Sequence, residues 1–113
     1  MMPLVEKKCI PCEGSAQPLD TDAVKRMLEE VPQWHLGAEG MRIARDFKCK
    51  DFAAAMALTN RVAALAEEEG HHPDIFIHGW NRVRIETWTH AIHGLSENDF
   101  ILAAKIDKIT ADG

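Results

Sequence analysis

The sequence predicts an α+β fold in which three helices pack on one face of a four-stranded antiparallel sheet, a two-layer sandwich. Segments of helical and of strand periodicity follow one another in the order helix, two strands, helix, two strands, helix. The strand segments alternate apolar and polar residues, which is typical of a sheet with one buried face. At 113 residues, the chain is long enough for one domain with its own hydrophobic core.

The first helix is predicted to begin after Asp20, a residue type that caps helix N-termini. Leu19 before the cap and Val24 inside the helix have the spacing of a hydrophobic staple. The helix ends before Pro32, which cannot continue it. Its core stripe is predicted to consist of Val24, Met27, Leu28 and Val31.

Two hairpins are predicted from alternating apolar residues. The first joins a short strand at residues 34–36 to a longer one at residues 41–47, with two glycines between them. The second joins residues 75–78 to residues 83–87 through the turn Gly79-Trp80-Asn81. Together they supply the four strands of the sheet.

The second and third helices have clear local start signals. Asp51 caps the second helix, and Gly70 ends it because glycine readily adopts the left-handed conformation of a C-cap. Ser96 opens the third helix, where Asp99 completes a capping box. The core stripe of the second helix is predicted at Phe52, Met56, Thr59, Ala63 and Ala66, and that of the third at Leu102, Ile106 and Ile109.

Residues 1–18 contain several prolines and no apolar period, so we expect a flexible N-terminal arm before a single domain at residues 19–113. Cys9 and Cys12 in this arm have the spacing of half a zinc site or of a redox pair. The sequence offers no second such pair. We therefore expect the arm to be inert and dispensable for chemistry.

Composition excludes several classes of function. The net charge is −5 and there is no basic block, which disfavours direct nucleic-acid binding. No stretch approaches the roughly 20 apolar residues of a membrane span, and the charged start does not fit a secretory signal. The odd number of cysteines, three, favours a reducing compartment. We expect a cytoplasmic protein.

Histidine is the unusual feature, because five of the six histidines lie within residues 71–93. A proton-handling site and a metal site would both give this pattern. Glu67 and His71 are four residues apart, so we expect the carboxylate to hold that imidazole. Pro73 favours an extended His72, so the neighbouring imidazoles are expected to point in different directions.

Two more residues complete the candidate site. His90 is expected at the end of the fourth strand, and Asp99 in the first turn of the last helix could orient an imidazole or simply cap the helix. A cleft at one end of the sheet could collect these groups with Glu67 and the histidine pair. Imidazoles titrate near pH 6.5, so two of them suit a dehydration or a proton shift. Glu68 and Glu69 are expected at the surface.

This spacing resembles the signature of the pterin-4a-carbinolamine dehydratases. The signature is an acidic residue, three spacers, His-His-Pro, an aromatic residue, a histidine and an aspartate. The chain has these residues in order: Glu67, His71-His72-Pro73, Trp80, His90 and Asp99. The resemblance implies the fold described above, assembled as a homodimer or homotetramer. It also implies dehydration of the 4a-hydroxytetrahydropterin released by aromatic amino-acid hydroxylases to quinonoid dihydropterin, without metal or cofactor.

Roles follow from the resemblance residue by residue. His71 and His90 would form the proton-transfer pair, and His72 would be the main contact of the pterin. Glu67 and Asp99 would orient imidazoles. Trp80 would either line the pterin pocket or pack the hairpin turn.

Two alternatives remain open at this stage. Some members of the family also bind a homeodomain transcription factor, so the chain could be an interaction and dimerisation cofactor of a transcription regulator. A histidine-rich metal module is the other alternative, in which His78 and His93 would join the histidines of the candidate site.

Overall fold

The computed structural model of the chain describes residues 3–10, 17–37 and 39–111. The elements follow the predicted order. They are α1 (Thr21–Leu28), β1 (His35–Leu36), β2 (Ile43–Lys48), α2 (Phe52–Glu69), β3 (Asp74–His78), β4 (Arg82–Thr87) and α3 (Glu97–Ala111). Short 3₁₀ turns lie at Leu4–Glu6 and His90–Ile92.

The four strands form one antiparallel sheet in the order β1-β2-β4-β3. Ile43 at the start of β2 pairs with Thr87 at the end of β4, and Asp74 at the start of β3 pairs with Glu86. The end of β4 and the start of β3 therefore lie at the same end of the sheet. The chain enters this end of the sheet from the C-terminus of α2. The three helices and the four-stranded antiparallel sheet confirm the predicted fold class.

Local sequence signals set the starts of α1 and α2 and the end of α2 as predicted. The predicted end of the first helix at Pro32 is wrong, because α1 ends at Leu28 and Val31 lies beyond it. The Asp20 carboxylate accepts a hydrogen bond from the Ala23 N–H at 2.9 Å, and the Asp51 carboxylate accepts one from the Ala54 N–H at 2.7 Å. Gly70 is the C-cap of α2, with a φ of +68°. Each signal acts within four residues of the helix end, which is why it can be recognised in the sequence.

The buried face of α2 differs from the predicted stripe. The helix buries Ala55, Leu58, Val62 and Ala66, whereas Phe52 and Met56 are 53% and 38% exposed. This helix is rich in alanine, so apolar residues recur every three to four positions on two different faces, and the spacing alone does not show which face is buried. The prediction placed the large Phe52 and Met56 side chains in the core. The face of α2 that packs in the core instead carries Leu58 and Val62.

The described part of the N-terminal arm is not loosely held. Leu4 and Cys9 are only 4% and 7% exposed and belong to the same core cluster as the sheet and helices. The turn at Leu4–Glu6 packs against α3. A single well-placed leucine gives no periodicity, so the sequence could not reveal this anchoring. Cys12 lies outside the described residues, and the boundary at residue 18 stays a prediction.

Candidate functional site

The candidate site lies where α2 ends, α3 begins and β4 leaves the sheet. Gly70 turns the chain by its left-handed conformation, so His71 no longer continues the helical face of α2. The His71 N–H still reaches the carbonyl of Ala66, at 3.3 Å, and the chain then enters β3 at Asp74. The two histidines therefore occupy a short connection of fixed geometry.

Asp99 is the centre of this region. Its side chain is fully buried and lies in the first turn of α3. Oδ2 accepts hydrogen bonds from the Ser96 N–H at 3.0 Å and from the Thr89 hydroxyl at 2.8 Å. Oδ1 accepts one from the Thr87 hydroxyl at 2.7 Å and contacts a ring nitrogen of His71. The Asp99 side of the predicted capping box is therefore present, and the same carboxylate also holds an imidazole.

His71 pairs with Asp99 and not with Glu67. Its Nε2 lies 2.7 Å from Asp99 Oδ1, and its side chain is 12% exposed. A carboxylate oxygen can only accept, so Nε2 carries the hydrogen, and in the neutral imidazole Nδ1 then has the lone pair. This arrangement gives His71 one tautomer and one ring orientation. It suits a group that takes a proton at Nδ1.

The expected contact between Glu67 and His71 is wrong. Glu67 Oε1 instead lies 3.3 Å from Nε2 of His72, and both side chains are largely exposed. The helical four-residue spacing fails because Gly70 ends α2 before His71. The two imidazoles have different surroundings, since His71 is mostly buried and His72 is 61% exposed. That they point in different directions stays a prediction.

His90 lies beyond the strand at whose end it was expected. β4 ends at Thr87, and His90 begins a 3₁₀ turn. The chain leaves the sheet because Thr89 forms an isolated bridge with Gly94 and turns its hydroxyl to Asp99. The His90 ring packs on Trp88, with 3.9 Å between ring centroids.

Trp88 and the two threonines are site residues that the sequence analysis missed. Trp88 Nε1 is buried and has no hydrogen-bond partner among the described residues, and the Arg42 guanidinium lies 5.2 Å from the ring centroid. Thr87 and Thr89 are buried at 0% and 4% exposure. Threonine at two successive inward positions after Val83 and Ile85 is the signal that could have found them, because buried hydroxyls require partners.

Trp80 lies apart from the histidine pair within one chain. It occupies the turn between β3 and β4 and is 62% exposed, with a φ of +56°. The five residues of β3, about 15 Å of extended chain, separate this turn from the start of the strand near His72. Its proposed contact with a pterin stays a prediction.

Glu69, expected at the surface, is buried. Its carboxylate accepts hydrogen bonds from Lys105 Nζ at 2.7 Å and from the Cys9 N–H at 2.9 Å. Burial alone would raise the pKa of Glu69, but these two hydrogen bonds lower it below its ordinary value. Burial also raises the pKa of the Cys9 thiol to about 12, and the Glu69 charge contributes to this shift. Cys9 is therefore an unreactive thiol at neutral pH.

Within the described residues, no group of three or more histidine, cysteine, aspartate or glutamate side chains has the geometry of a metal site. His78 ends β3 and His93 caps the 3₁₀ turn, and both are exposed. No helix in the described part of the chain is long and apolar enough to cross a membrane.

Comparison with known proteins gives consistent matches. A family model described as Pterin 4 alpha carbinolamine dehydratase matches residues 17–109. The chain is 47% identical over 111 residues to a Halorhodospira halophila protein provisionally named as a pterin-4-alpha-carbinolamine dehydratase, covering 97% of this chain and 100% of that protein. It is 42% identical over 112 residues to pterin-4-alpha-carbinolamine dehydratase 2, mitochondrial, of Arabidopsis thaliana, covering 96% of this chain and 60% of the relative.

Two solved structures resemble the fold. A transcriptional coactivator/pterin dehydratase from Brucella melitensis superposes with a TM-score of 0.77 at 31% identity, covering 82% of this chain and 98% of that one. A pterin dehydratase-like protein described as a RuBisCO assembly factor in the alpha-carboxysome gives a TM-score of 0.58 at 26% identity, covering 68% and 88%. Similar folds are thus described with quite different roles.

Proposed function

Because the chain belongs to the pterin 4 alpha carbinolamine dehydratase family, a family of hydro-lyases, we propose that it removes water from 4a-hydroxytetrahydropterin by histidine acid–base catalysis. The observation that carries this proposal is the pairing of His71 with the buried carboxylate of Asp99 at 2.7 Å. A histidine held in one tautomer by a carboxylate is a standard general base.

The proposed reaction balances without an oxidant or a reductant. The C4a–O bond of the substrate breaks as the hydroxyl is protonated and leaves as water. The lone pair of the adjacent N5 forms the C4a–N5 double bond, and a ring nitrogen then loses a proton to give quinonoid dihydropterin. The step needs one proton donor and one proton acceptor, so we propose that the protein uses no cofactor and no metal.

We assign the proton transfers to His71 and His90. His71 accepts at Nδ1, the nitrogen that Asp99 leaves free. His90 is exposed, so it can exchange protons with solvent between turnovers.

His72 and Glu67 have contact roles in the proposal, whereas a pterin contact of the distant Trp80 is not needed for it. His72 contacts the pterin, and Glu67 orients its imidazole through the 3.3 Å contact. The Trp88 N–H beside His90 has no partner in the part of the chain that the structure describes, and this supports a polar ligand there, because buried donors are nearly always satisfied.

The dehydratase assay tests this function directly. The purified chain is added to freshly generated 4a-hydroxytetrahydropterin, and the appearance of quinonoid dihydropterin is followed by its absorbance. We expect a rate that increases in proportion to protein concentration and vanishes after heat denaturation. A rate equal to that of buffer alone would contradict the proposal.

His90 and His93 provide a matched pair of substitutions three residues apart. Replacement of His90 by Ala is expected to lower the turnover by roughly 10- to 10,000-fold, because a positioned proton donor is lost and water replaces it only in part. His93 matches no position of the signature, so His93→Ala is expected to remain near the parental rate. Equal effects in the two variants, measured by steady-state kinetics, would contradict the assignment.

Stability separates a catalytic from a structural role for His90. Its side chain is exposed, so His90→Ala is expected to unfold cooperatively and close to the parental midpoint. A loss of rate that followed a loss of folded protein would show that His90 only supports the fold.

We expect the chain to form a homodimer or homotetramer. β3 is an edge strand of the sheet, and its Phe76 side chain is 47% exposed. An unprotected edge with an exposed aromatic residue favours pairing with a second copy. Light scattering at micromolar concentration is expected to give two or four times the chain mass, and a monomer would contradict this.

The setting that we propose for the reaction is tetrahydropterin recycling in the cytoplasm, downstream of an aromatic amino-acid hydroxylase. A hydroxylase of that class would release the 4a-hydroxy substrate that this chain consumes. The plant relative is named as mitochondrial, so fractionation of the source cells is the measurement that decides the compartment.

A second candidate function is that of an interaction cofactor for a transcription regulator. The exposed Phe52 and Met56 on α2 favour it, because large apolar side chains on a helix surface are typical of protein contacts. The Brucella melitensis structure is described as a transcriptional coactivator as well as a pterin dehydratase. Phe52→Asp would abolish such binding while leaving the dehydration step intact.

A further inference from the structure

A short part of the N-terminal arm is bonded to both sides of the candidate site. We call residues 9–10 the strap. The Ile10 N–H donates to Asn98 Oδ1 at 3.0 Å, and Asn98 Nδ2 donates to the Ile10 carbonyl at 2.5 Å. One amide side chain therefore satisfies both main-chain groups of the same residue, as a neighbouring strand would.

The strap is also bonded to the end of α2. The Cys9 N–H donates to Glu69 Oε1 at 2.9 Å, while Lys105 of α3 donates to Glu69 Oε2 at 2.7 Å. The Cys9 thiol contacts the Asn98 carbonyl at 3.5 Å. Glu69 and Asn98 are only 7% and 3% exposed, so the two side chains that hold the strap are themselves buried.

The two anchors of the strap stand close in sequence to the two residues of the His71–Asp99 hydrogen bond. Asn98 directly precedes Asp99, and Glu69 is two residues before His71. The strap therefore joins the last turn of α2 to the first turn of α3. The hydrogen bond between His71 and Asp99 spans the same two helix ends.

We propose that the strap positions His71 against Asp99, and that Asn98 and Glu69 are positioning residues for the dehydration step. This inference rests on the proposed function for its catalytic consequence. Without the strap the two helix ends can separate, and Asp99 then holds the imidazole less tightly. A displacement of about 1 Å in a reacting group can cost about 100-fold in rate.

The inference replaces the expectation that the whole arm is dispensable for chemistry. The hydrogen bonds of the strap are made by the main-chain groups of Cys9 and Ile10, apart from the weak contact of the Cys9 thiol. Cys9→Ser keeps every main-chain bond and is therefore expected to retain the parental turnover. The strap is thus defined by hydrogen bonding and not by cysteine chemistry.

Ile10 offers a matched pair of variants in the full chain. Its side chain is 70% exposed, so Ile10→Ala removes little packing and keeps the N–H. Ile10→Pro removes the N–H that donates to Asn98. We expect Ile10→Pro to lower kcat by about 10- to 100-fold with KM within twofold of the parental value, and Ile10→Ala to change neither.

Asn98→Ala removes the other partner and is expected to reproduce the loss of kcat. Lys7→Ala is its control, because it breaks the neighbouring, partly exposed ion pair of Lys7 with Glu97 and leaves the strap intact. Each variant is first checked for cooperative thermal unfolding above the assay temperature. A kcat loss that matched the unfolded fraction would overturn the inference.

The His71 imidazole gives a readout that does not depend on turnover. Its ¹H–¹⁵N signals, assigned with His71→Ala, report the tautomer fixed by Asp99. We expect mixed tautomers in Ile10→Pro and Asn98→Ala, and the parental pattern in Ile10→Ala and Lys7→Ala. Parental His71 signals in both strap variants would overturn the inference. A parental chain without dehydratase activity would refute the proposed function, and these signals would still decide the role of the strap.

Discussion

Replacement of His71 and His72 together by alanine is expected to lower the dehydration rate by about 100- to 10,000-fold. The change removes the imidazole that Asp99 orients and its exposed neighbour, which we assign to pterin binding. His71→Ala alone is expected to lower kcat, whereas His72→Ala alone is expected mainly to raise KM. Steady-state kinetics of the three variants separates these effects.

A control for this experiment is His78→Ala. His78 is exposed at the end of β3, next to the turn that holds Trp80 and away from the start of the strand. It is expected to leave kcat and KM unchanged. If the double variant kept more than about one tenth of the parental rate, His71 would not be a general base of this reaction.

Replacement of Asp99 by alanine is expected to lower the free energy of unfolding by about 3 kcal/mol or more. Three donors besides His71 lose their acceptor at a fully buried position, namely the hydroxyls of Thr87 and Thr89 and the Ser96 N–H. An unsatisfied buried donor costs about 1–3 kcal/mol, and the two hydroxyls can recover part of this loss by rotating. Urea unfolding followed by tryptophan fluorescence measures the change.

Two further variants define the origin of the Asp99 effect. Asp99→Asn keeps one acceptor oxygen and is expected to be destabilised less than Asp99→Ala. Glu97→Ala, a partly exposed carboxylate in the same first turn, is expected to change the unfolding free energy by less than about 1 kcal/mol. A loss of less than about 1 kcal/mol in Asp99→Ala would show that its hydrogen bonds are readily replaced.

Asp99 couples the geometry of the candidate site to the stability of α3. The same carboxylate caps α3 through Ser96 and holds the His71 ring. The His71 ring therefore keeps its orientation only while the first turn of α3 stays folded. A variant that loosens α3 at this end is expected to lose catalytic geometry together with stability.

Most of the fold could be predicted because its signals are local. The carboxylates of Asp20 and Asp51 each accept a hydrogen bond from the N–H three residues later. Gly70 ends α2 by its own left-handed backbone conformation. The alternation of Val83, Ile85 and Thr87 places one face of β4 in the core. None of these features depends on distant parts of the chain. The candidate histidines and carboxylates were likewise chosen from residue type and spacing, while Trp80 and the individual roles came from the family resemblance.

The partners within the site could not be predicted in this way. Glu67 has the correct helical spacing for His71, yet Gly70 ends the helix first and Asp99, 28 residues away, takes that imidazole. The choice between the two carboxylates depends on how α3 packs beside the end of α2. Glu69 looks like one member of a charged run, and only the packing of Lys105 and Cys9 around it shows that it is buried.

The sequence by itself therefore determined the α+β class, the order of the helices and strands, the starts of α1 and α2, the end of α2, and the set of candidate histidines and carboxylates. The tertiary structure alone decided that Leu58 and Val62 face the core, that Asp99 holds His71, and that the N-terminal arm is anchored. Capping and alternation involve residues within a few positions of one another, whereas a buried hydrogen bond needs a partner that only chain packing brings near. Long-range packing is not encoded in any short stretch of residues.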